Sequence, residues 1–375
     1  MKDRVWEEVY IRNLKHNVEL IKSMAKGKTI IPIIKDNAYG HGSVEIAKIL
    51  EDEDLVIGFA VASAGEALKL KNANIKKDII VISHVYNKYY EETIKQNIIH
   101  TISTYENAVE INEIAKKLNV KAKVEIAVDT GMGRIGFPVN DKSIEDVARI
   151  SKLSNIKIFG LFSHFSVADC DEKDILNKNY TDMQEEKFYE FLEKVDKNNV
   201  KYENTSISNS AGALTGRGEK CKSIRPGIIL YGIAPSKYLD KFDLIPTMTL
   251  KSRIVHIKEI DAGDSISYGR TFISNKKMKI ATIACGYGDG YPRTASNKGY
   301  VIINDKKCKI VGRVTMDMFM VDISECDCKL YDEVILVGSS EHNSISLDEL
   351  SDITGEFNYE LLTRINSRVE KIYIQ

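Results

Sequence analysis

Thr29-Ile30-Ile31-Pro32-Ile33-Ile34-Lys35-Asp36-Asn37-Ala38-Tyr39-Gly40-His41-Gly42 is the stretch whose reading decides the fold. It begins as an apolar run of strand length and ends in a polar turn punctuated by glycine. Lys35 stands where the strand gives way to the turn. Lysine is rarely buried on a strand without a partner or a job. In α/β folds the C-terminal ends of strands are where ligands bind. A desolvated lysine there can have its pKa lowered enough to form a Schiff base with a carbonyl. Taken alone, the same lysine also reads as a strand-end residue pointing into water.

On either side of this segment the chain repeats one grammar, a short apolar strand and then a helical stretch. Strand candidates are Ile30 to Ile34, Val56 to Val61, Ile79 to Ser83, Thr101 to Ser103, Val120 to Val128, Ile156 to Phe162, Asn204 to Ser208 and Ile224 to Leu230. Eight strands in roughly 200 residues match a compact (β/α)8 barrel. Between them, Glu45 to Leu50, Ala64 to Leu70, Ala108 to Leu118, Ile144 to Leu153 and Met183 to Val195 carry apolar residues at three- and four-residue spacing. Continuous rather than alternating apolar strands fit a parallel sheet covered by helices. After about Pro235 the pattern changes to period two, as in Thr247 to Ile260, Lys279 to Ala284, Gly299 to Ile303, Cys308 to Val314, Glu333 to Gly338 and Val369 to Ile374. The expected architecture is therefore α/β, a TIM barrel over residues 1–235 followed by a mostly β C-terminal domain over 236–375. The opening Val5 to Ile11 reads as a further strand and is a candidate for pairing with the C-terminal domain.

Composition narrows the function classes. Lys plus Arg number 53 against 54 Asp plus Glu, a net charge of -1, which gives no electrostatic case for nucleic acid or an anionic membrane. No apolar run reaches membrane-spanning length. Met1 to Glu8 shows no apolar signal region, and six scattered cysteines show no zinc spacing, so the expectation is a cytoplasmic protein without a metal.

Several motifs fall at the ends of expected strands, where a barrel builds its site. Asp129-Thr130-Gly131-Met132-Gly133-Arg134-Ile135-Gly136 brings close glycines and an arginine able to grip a carboxylate or phenolate. Ser163-His164-Phe165 follows the sixth strand, and Ser208-Asn209-Ser210, able to cradle phosphate, follows the seventh. Arg225, inside the apolar Ile224-Arg225-Pro226-Gly227-Ile228, demands a partner.

These segments, with Lys35-Asp36-Asn37-Ala38-Tyr39-Gly40-His41-Gly42, closely resemble those of the alanine racemase family, fold-type III enzymes dependent on pyridoxal phosphate (PLP). The resemblance covers nearly the whole chain. It implies that Lys35 carries PLP, that Arg134 reaches its phenolic oxygen and the substrate carboxylate, and that His164 sits beside the ring. It further implies Ser210, with Asn209, Gly227 and Ile228, at the phosphate, Arg225 at the pyridine nitrogen, and Tyr39 among the cofactor-side residues. An arginine there leaves the ring nitrogen largely unprotonated, which weakens the ring as an electron sink and favours quick reprotonation.

Ser265-Ile266-Ser267-Tyr268-Gly269-Arg270-Thr271 resembles the family segment whose tyrosine is the second catalytic base and enters the partner subunit's site. The resemblance thus implies a homodimer with Lys35 and Tyr268 as the two bases. Gly286-Tyr287-Gly288-Asp289-Gly290-Tyr291-Pro292-Arg293 and Val311-Gly312-Arg313-Val314-Thr315-Met316-Asp317 match family segments. They place Tyr287, Arg293 and Arg313, with Asp169, along the substrate's approach, and the Met316 amide at its carboxylate.

Two positions depart from the family. Ala127 stands where many members have a lysine whose carbamate steers the arginine, so Arg134 needs another support, such as an anion or water. Ser367, beside Asn366, stands where members commonly have a tyrosine on the PLP phosphate that narrows the pocket. Smaller polar groups there could hydrogen-bond a substrate hydroxyl. The expected function is interconversion of L- and D-alanine. The alternatives are a serine-preferring or broad-specificity racemase, another PLP chemistry such as decarboxylation, and a non-catalytic PLP-binding protein.

Overall fold

The computed structural model describes residues 3–375, which form two compact units. One takes in Asn13–Ala38 and Gly42–Pro246, and the other residues 3–12, Tyr39–His41 and Thr247–Gln375.

The first unit is a parallel barrel. Its strands are β2 (Thr29–Ile30), β3 (Gly58–Val61), β4 (Asp78–Val81), β5 (Ile99–Ile102), β6 (Ala122–Asp129), β7 (Ile156–Phe162), β8 (Asn204–Ser206) and β9 (Ser223–Ile224). They run in the order β2-β9-β8-β7-β6-β5-β4-β3. Parallel bridges Ile30 to Val56 and Ile33 to Ala60 bring the two ends together, supported by Ile34 N donating to Ala60 O at 2.9 Å. The covering helices follow from their apolar spacing. In α1 (Ile11–Ala25), Leu14, Val18 and Ile21 are at most 2 % exposed, one stripe of a 3.6-residue period. In α5 (Tyr105–Lys117) the stripe is Ala108, Ile111 and Ala115, and Thr104 caps the helix by accepting from Asn107 N at 3.2 Å. The remaining barrel helices are α2 (Ser43–Leu50), α3 (Ala64–Asn72), α4 (Tyr90–Lys95), α6 (Asp141–Ile150), α7 (Ile175–Lys197) and the short α8 (Ser210–Leu214). No described helix is long and apolar enough to cross a membrane.

The last expected barrel strand needs correction. Ile224 to Leu230 is not one strand, because β9 stops at Ile224 and Ile228–Tyr231 forms a single 3-10 turn. Pro226 has no amide to extend the ladder, and the chain swings away at Gly227. The short β5 lies at Ile99–Ile102 rather than Thr101 to Ser103.

The second unit is built on an antiparallel sheet. Its main strands are β10 (Met248–Ile260), β11 (Met278–Ile283), β12 (Tyr300–Ile303), β13 (Lys306–Val311), β14 (Phe319–Asp322), β15 (Glu333–Ser339), β16 (Ser344–Ile345) and β17 (Glu370–Ile374). The N-terminal β1 (Val5–Tyr10) lies between β10, to which it is antiparallel, and β17, to which it is parallel. Helices α9 (Leu347–Thr354) and α10 (Asn358–Thr363) complete the unit, and the period-two pattern gave no sign of them.

Trp6 fixes β1 in place. It is 0 % exposed, and the Arg253 guanidinium lies 4.8 Å from its ring centre. Trp6→Ala should destabilise the protein by about 3–5 kcal/mol, the usual cost of removing a buried aromatic side chain. A urea titration would show this as a lower unfolding midpoint.

Candidate active site

The first building block is the turn after Ile34. Asp36, Asn37, Ala38 and Tyr39 all have positive φ, between 51° and 58°. This is left-handed helical backbone, which costs an L-residue roughly 1–2 kcal/mol at each position. Hydrogen bonds hold it: Ala38 N donates to Ile34 O at 2.9 Å and Gly42 N to Asn37 O at 2.8 Å. The Asn37 Oδ1 accepts from Lys69 Nζ at 3.0 Å and Ser43 N at 3.2 Å. Glu66 accepts from the Asp36 and Ala62 amides, tying the turn to the start of α3. Lys35 is therefore presented by a strained, well-bonded turn.

Three cations and an imidazole then act on one another. The Lys35 pKa is lowered from the ordinary lysine value, first by burial and then by the positive charge of Arg134 and, more weakly, Arg225. Glu66 and Asp36 pull the other way. The His164 imidazole is held well below its usual range by burial, with Arg225, Arg134 and Lys35 adding to the effect. Burial brings Arg225 down to about 10, and its guanidinium lies 4.5 Å from the Phe162 ring centre. One Nη donates to Ser163 O, while Nε is buried with no hydrogen-bond partner.

The supporting loops bring further candidates into contact. Asn209 Nδ2 lies 3.4 Å from His164 Nε2 and donates to Phe165 O at 3.2 Å. Ser210 Oγ accepts from the Gly227 amide at 2.9 Å, and Ile228 follows in the buried 3-10 turn. Arg134 is exposed on a loop organised by Asp129, whose Oδ1 accepts from the Gly131 and Gly133 amides at 3.0 Å each. Gly136, at φ 124°, folds that loop back on Ala127, where a Cβ would approach the Ala127 carbonyl to 3.0 Å. Asp169 stands apart in its loop, its carbonyl accepting from Ser236 Oγ at 2.6 Å.

In the second unit, Tyr268 opens a short turn and is 72 % exposed. Arg313 lies under it: a Cβ at Gly269 would come within 3.0 Å of the Arg313 guanidinium, and Arg313 O accepts from Ser267 Oγ at 2.7 Å. The Tyr287 and Met316 loops are zipped together by Tyr287 N to Thr315 O at 3.0 Å and Gly288 N to Met316 O at 2.8 Å. Ser367 is exposed beside Asn366, whose Nδ2 donates to Gly288 O at 2.9 Å. Arg293 is exposed on the following turn. Tyr39 packs edge-on to Tyr359 at 6.3 Å.

Sequence reasoning missed three supports. Buried Asp289 binds Arg4 and accepts from Gly286 N at 3.0 Å, bracing the Tyr287 loop, and Arg4 Nη1 donates to Asp317 O at 3.2 Å. The third is Glu125, fully buried in β6 with its carboxyl pushed up to about 7 by burial. A charge inside an apolar strand is the signal that could have found it, as it found Arg225.

The chain can now be set beside known proteins. Residues 9–235 match the model of the alanine racemase N-terminal domain and residues 247–373 that of the alanine racemase C-terminal domain. This chain belongs to the alanine racemase family. A relative named alanine racemase from Clostridium kluyveri is 42% identical over 374 residues, 99% of this chain and 94% of its own length. Another, from Clostridium novyi, is 42% identical over 375 residues, with 99% and 95% covered. Among solved structures, alanine racemase of Clostridium difficile 630 superposes with TM-score 0.93 at 37% identity, covering 99% of this chain and 96% of that one. Alanine racemase of Bacillus anthracis with bound L-Ala-P gives 0.92 at 31% identity, covering 100% and 96%. The family depends on PLP. Among the described residues, no group of three or more His, Cys, Asp or Glu is placed to hold a metal ion.

The charges around Lys35 make opposite expectations for two neutralising changes. Arg134→Gln removes a repelling cation and should raise the Lys35 pKa, whereas Glu66→Gln removes an attracting anion and should lower it further. Competitive amine labelling across pH, with Lys35 read by peptide mass spectrometry, checks both signs.

Proposed function

We propose that this protein interconverts L- and D-alanine with PLP as its cofactor, by two bases drawn from two copies of the chain. The carrying observation is Lys35, an amine two residues past the barrel bridge at Ile33, whose pKa is lowered by burial and by Arg134, in a chain of the alanine racemase family. The residues fit the cofactor. A phosphate and a phenolate call for positive charge, and Lys35, Arg134 and Arg225 provide it. Arg225 offers a buried guanidinium, and Ser210, while accepting from Gly227, keeps its own hydroxyl proton to donate. Lys35 would hold the aldehyde end, Arg225 the ring nitrogen, and Ser210 with Gly227 and Ile228 the phosphate. His164, Asn209, Tyr39 and Ser367 would line the rest.

PLP, when bound, supplies a carbonyl for the substrate amine and a ring that draws electrons from the Cα–H bond. The chain's own groups move the protons. Racemisation needs a proton taken from one face of the α-carbon and one delivered to the other. Lys35 Nζ, more readily unprotonated than an ordinary lysine, serves one face. Tyr268 of the partner subunit serves the other, and the roles exchange when the reaction runs backward. A large aromatic side chain that is 72 % exposed in its own chain suits work in another copy. Arg134 and the Met316 amide hold the substrate carboxylate, and Asp169, Tyr287, Arg293 and Arg313 border the approach. Asp129 and the Gly136 fold support the Arg134 loop, the task left open by Ala127. Alanine is favoured over the serine alternative because the relatives at 42% identity carry the name alanine racemase.

The test pairs Lys35→Ala with Tyr268→Phe in PLP-loaded protein. Each variant alone should lose about 10²–10⁴-fold of the conversion rate, the usual worth of a placed acid or base. Mixing the two inactive variants under subunit exchange should restore part of the activity, because a hybrid dimer holds one intact site. Full activity in Tyr268→Phe, or no recovery on mixing, would sink the two-copy assignment.

A further inference from the structure

The barrel strands carry a polar face that the proposed chemistry leaves unused. Thr101, Glu125, Gly160 and Asn204 stand in register on β5, β6, β7 and β8. Residues in register on neighbouring strands point the same way, so these four share one face of the sheet. Two residues along, Phe162 and Ser206 are again in register, and the Arg225 guanidinium lies against that Phe162 ring. The opposite face belongs to His100, whose ring stacks on Tyr90 of α4 at 5.6 Å. The face with Glu125 is therefore the barrel interior.

Gly160 lets β7 and β8 close up there. A Cβ at this position would come within 2.8 Å of Asn204 O and 3.1 Å of Asn204 Cβ. No side chain therefore stands between Glu125 and Asn204 on this face. The polar atoms there are complementary. Glu125 is 0 % exposed, and neither carboxylate oxygen has a hydrogen-bond partner. Asn204 Nδ2, Ser206 Oγ and Arg225 Nε are also buried without one. Two acceptor oxygens thus share an interior with three groups able to donate. Leaving such groups unpaired costs about 1–3 kcal/mol each, so a common link among them is strongly favoured. Arg225 is the charged group whose field reaches Glu125, opposing the effect of burial. The adjacent strands add no charge: Thr101 gives its hydroxyl to Val81 O at 2.7 Å, Gly160 has no side chain, and Asn204 and Ser206 are neutral.

We propose that Glu125 is a positioning residue for Arg225, linked through buried water to Arg225 Nε, Asn204 Nδ2 and Ser206 Oγ, so that the guanidinium is held in plane where the cofactor's ring nitrogen would sit. This assignment rests on the racemase reading and deepens it. Water suits the link because the two oxygens and three donors offer the several partners that a buried water needs. Ionised, Glu125 offsets part of the positive charge gathered by Lys35, Arg134 and Arg225. Protonated, it leaves that field stronger. A bound chromophore touching Arg225 should sense the difference.

The experiment records the absorbance of PLP-loaded wild type, Glu125→Gln and Ser206→Ala between about pH 5 and 9, a window that brackets a raised carboxyl. Wild type should show an inflection near 7. Glu125→Gln should lack it, with kcat lowered about 10- to 100-fold by the loosened guanidinium and KM little changed. Ser206→Ala takes one donor from the carboxylate and should move the inflection to higher pH. A Glu125→Gln protein that keeps the wild-type inflection overturns the assignment, as does a wild type with none. Should the glutamine variant fail to fold, Ser206→Ala decides alone, and an unmoved inflection is the contrary result. The racemase reading fails separately, through a PLP-loaded wild type that leaves L-alanine unconverted.

Discussion

Four consecutive L-residues, Asp36 to Tyr39, are held in left-handed helical backbone directly after Lys35. Such a run stands at roughly 1–2 kcal/mol per residue above ordinary backbone, and the local bonds from Ile34, Asn37 and Glu66 must offset it. The first barrel strand, expected over Ile30 to Ile34, is Thr29–Ile30 with a single further bridge at Ile33, and the turn follows that bridge and starts α2 at Ser43. A relaxed right-handed turn would send both the lysine and the helix elsewhere. The same segment supplies Tyr39, Gly40 and His41 to the second unit, where His41 Nε2 meets Thr247 Oγ1 at 2.8 Å and Tyr373 OH donates to His41 O at 2.8 Å. Strain, strand end and reactive amine are thus one local arrangement.

Charge is the second organising element. A barrel interior is ordinarily filled by branched apolar side chains. Here Glu125, Asn204, Ser206, Ser223 and Arg225 occupy buried positions on its strands or at their ends. Burial first, and then the positive charge of Arg134 and more weakly Arg225, lowers the affinity of Lys35 for a proton, which is what a base needs. The same cations also make the site a place for an anion.

Much of this was legible in the sequence because the signals were local. Apolar runs separated by helical spacing mark a covered parallel sheet, and the structure has that sheet with helices close to the expected positions. Arg225 stood out because an arginine in an apolar run needs a reason. Other features depended on contacts that spacing does not carry. The left-handed turn contains two residues of types with a known tolerance for it, Asp36 and Asn37, but continues through Ala38 and Tyr39, which have none. The strand expected over Ile224 to Leu230 failed at Pro226, where the missing amide outweighed the apolar pattern. Helices α9 and α10 are short and lie among strands, so their periodicity was too brief to separate from the surrounding alternation. Glu125 went unread because it sits among residues matching a helix-covered strand, and its meaning comes from Gly160 and Asn204 on other strands.

The most direct measurement offers the purified, PLP-loaded protein L-alanine and L-serine in separate deuterated-water reactions and follows chirality and α-deuterium in each. The account predicts that L-alanine racemises with deuterium entering the α-position, and faster than L-serine. Serine turned over as fast as or faster than alanine would make Ser367 the determinant of specificity. No exchange with either amino acid, with PLP bound, would contradict the account.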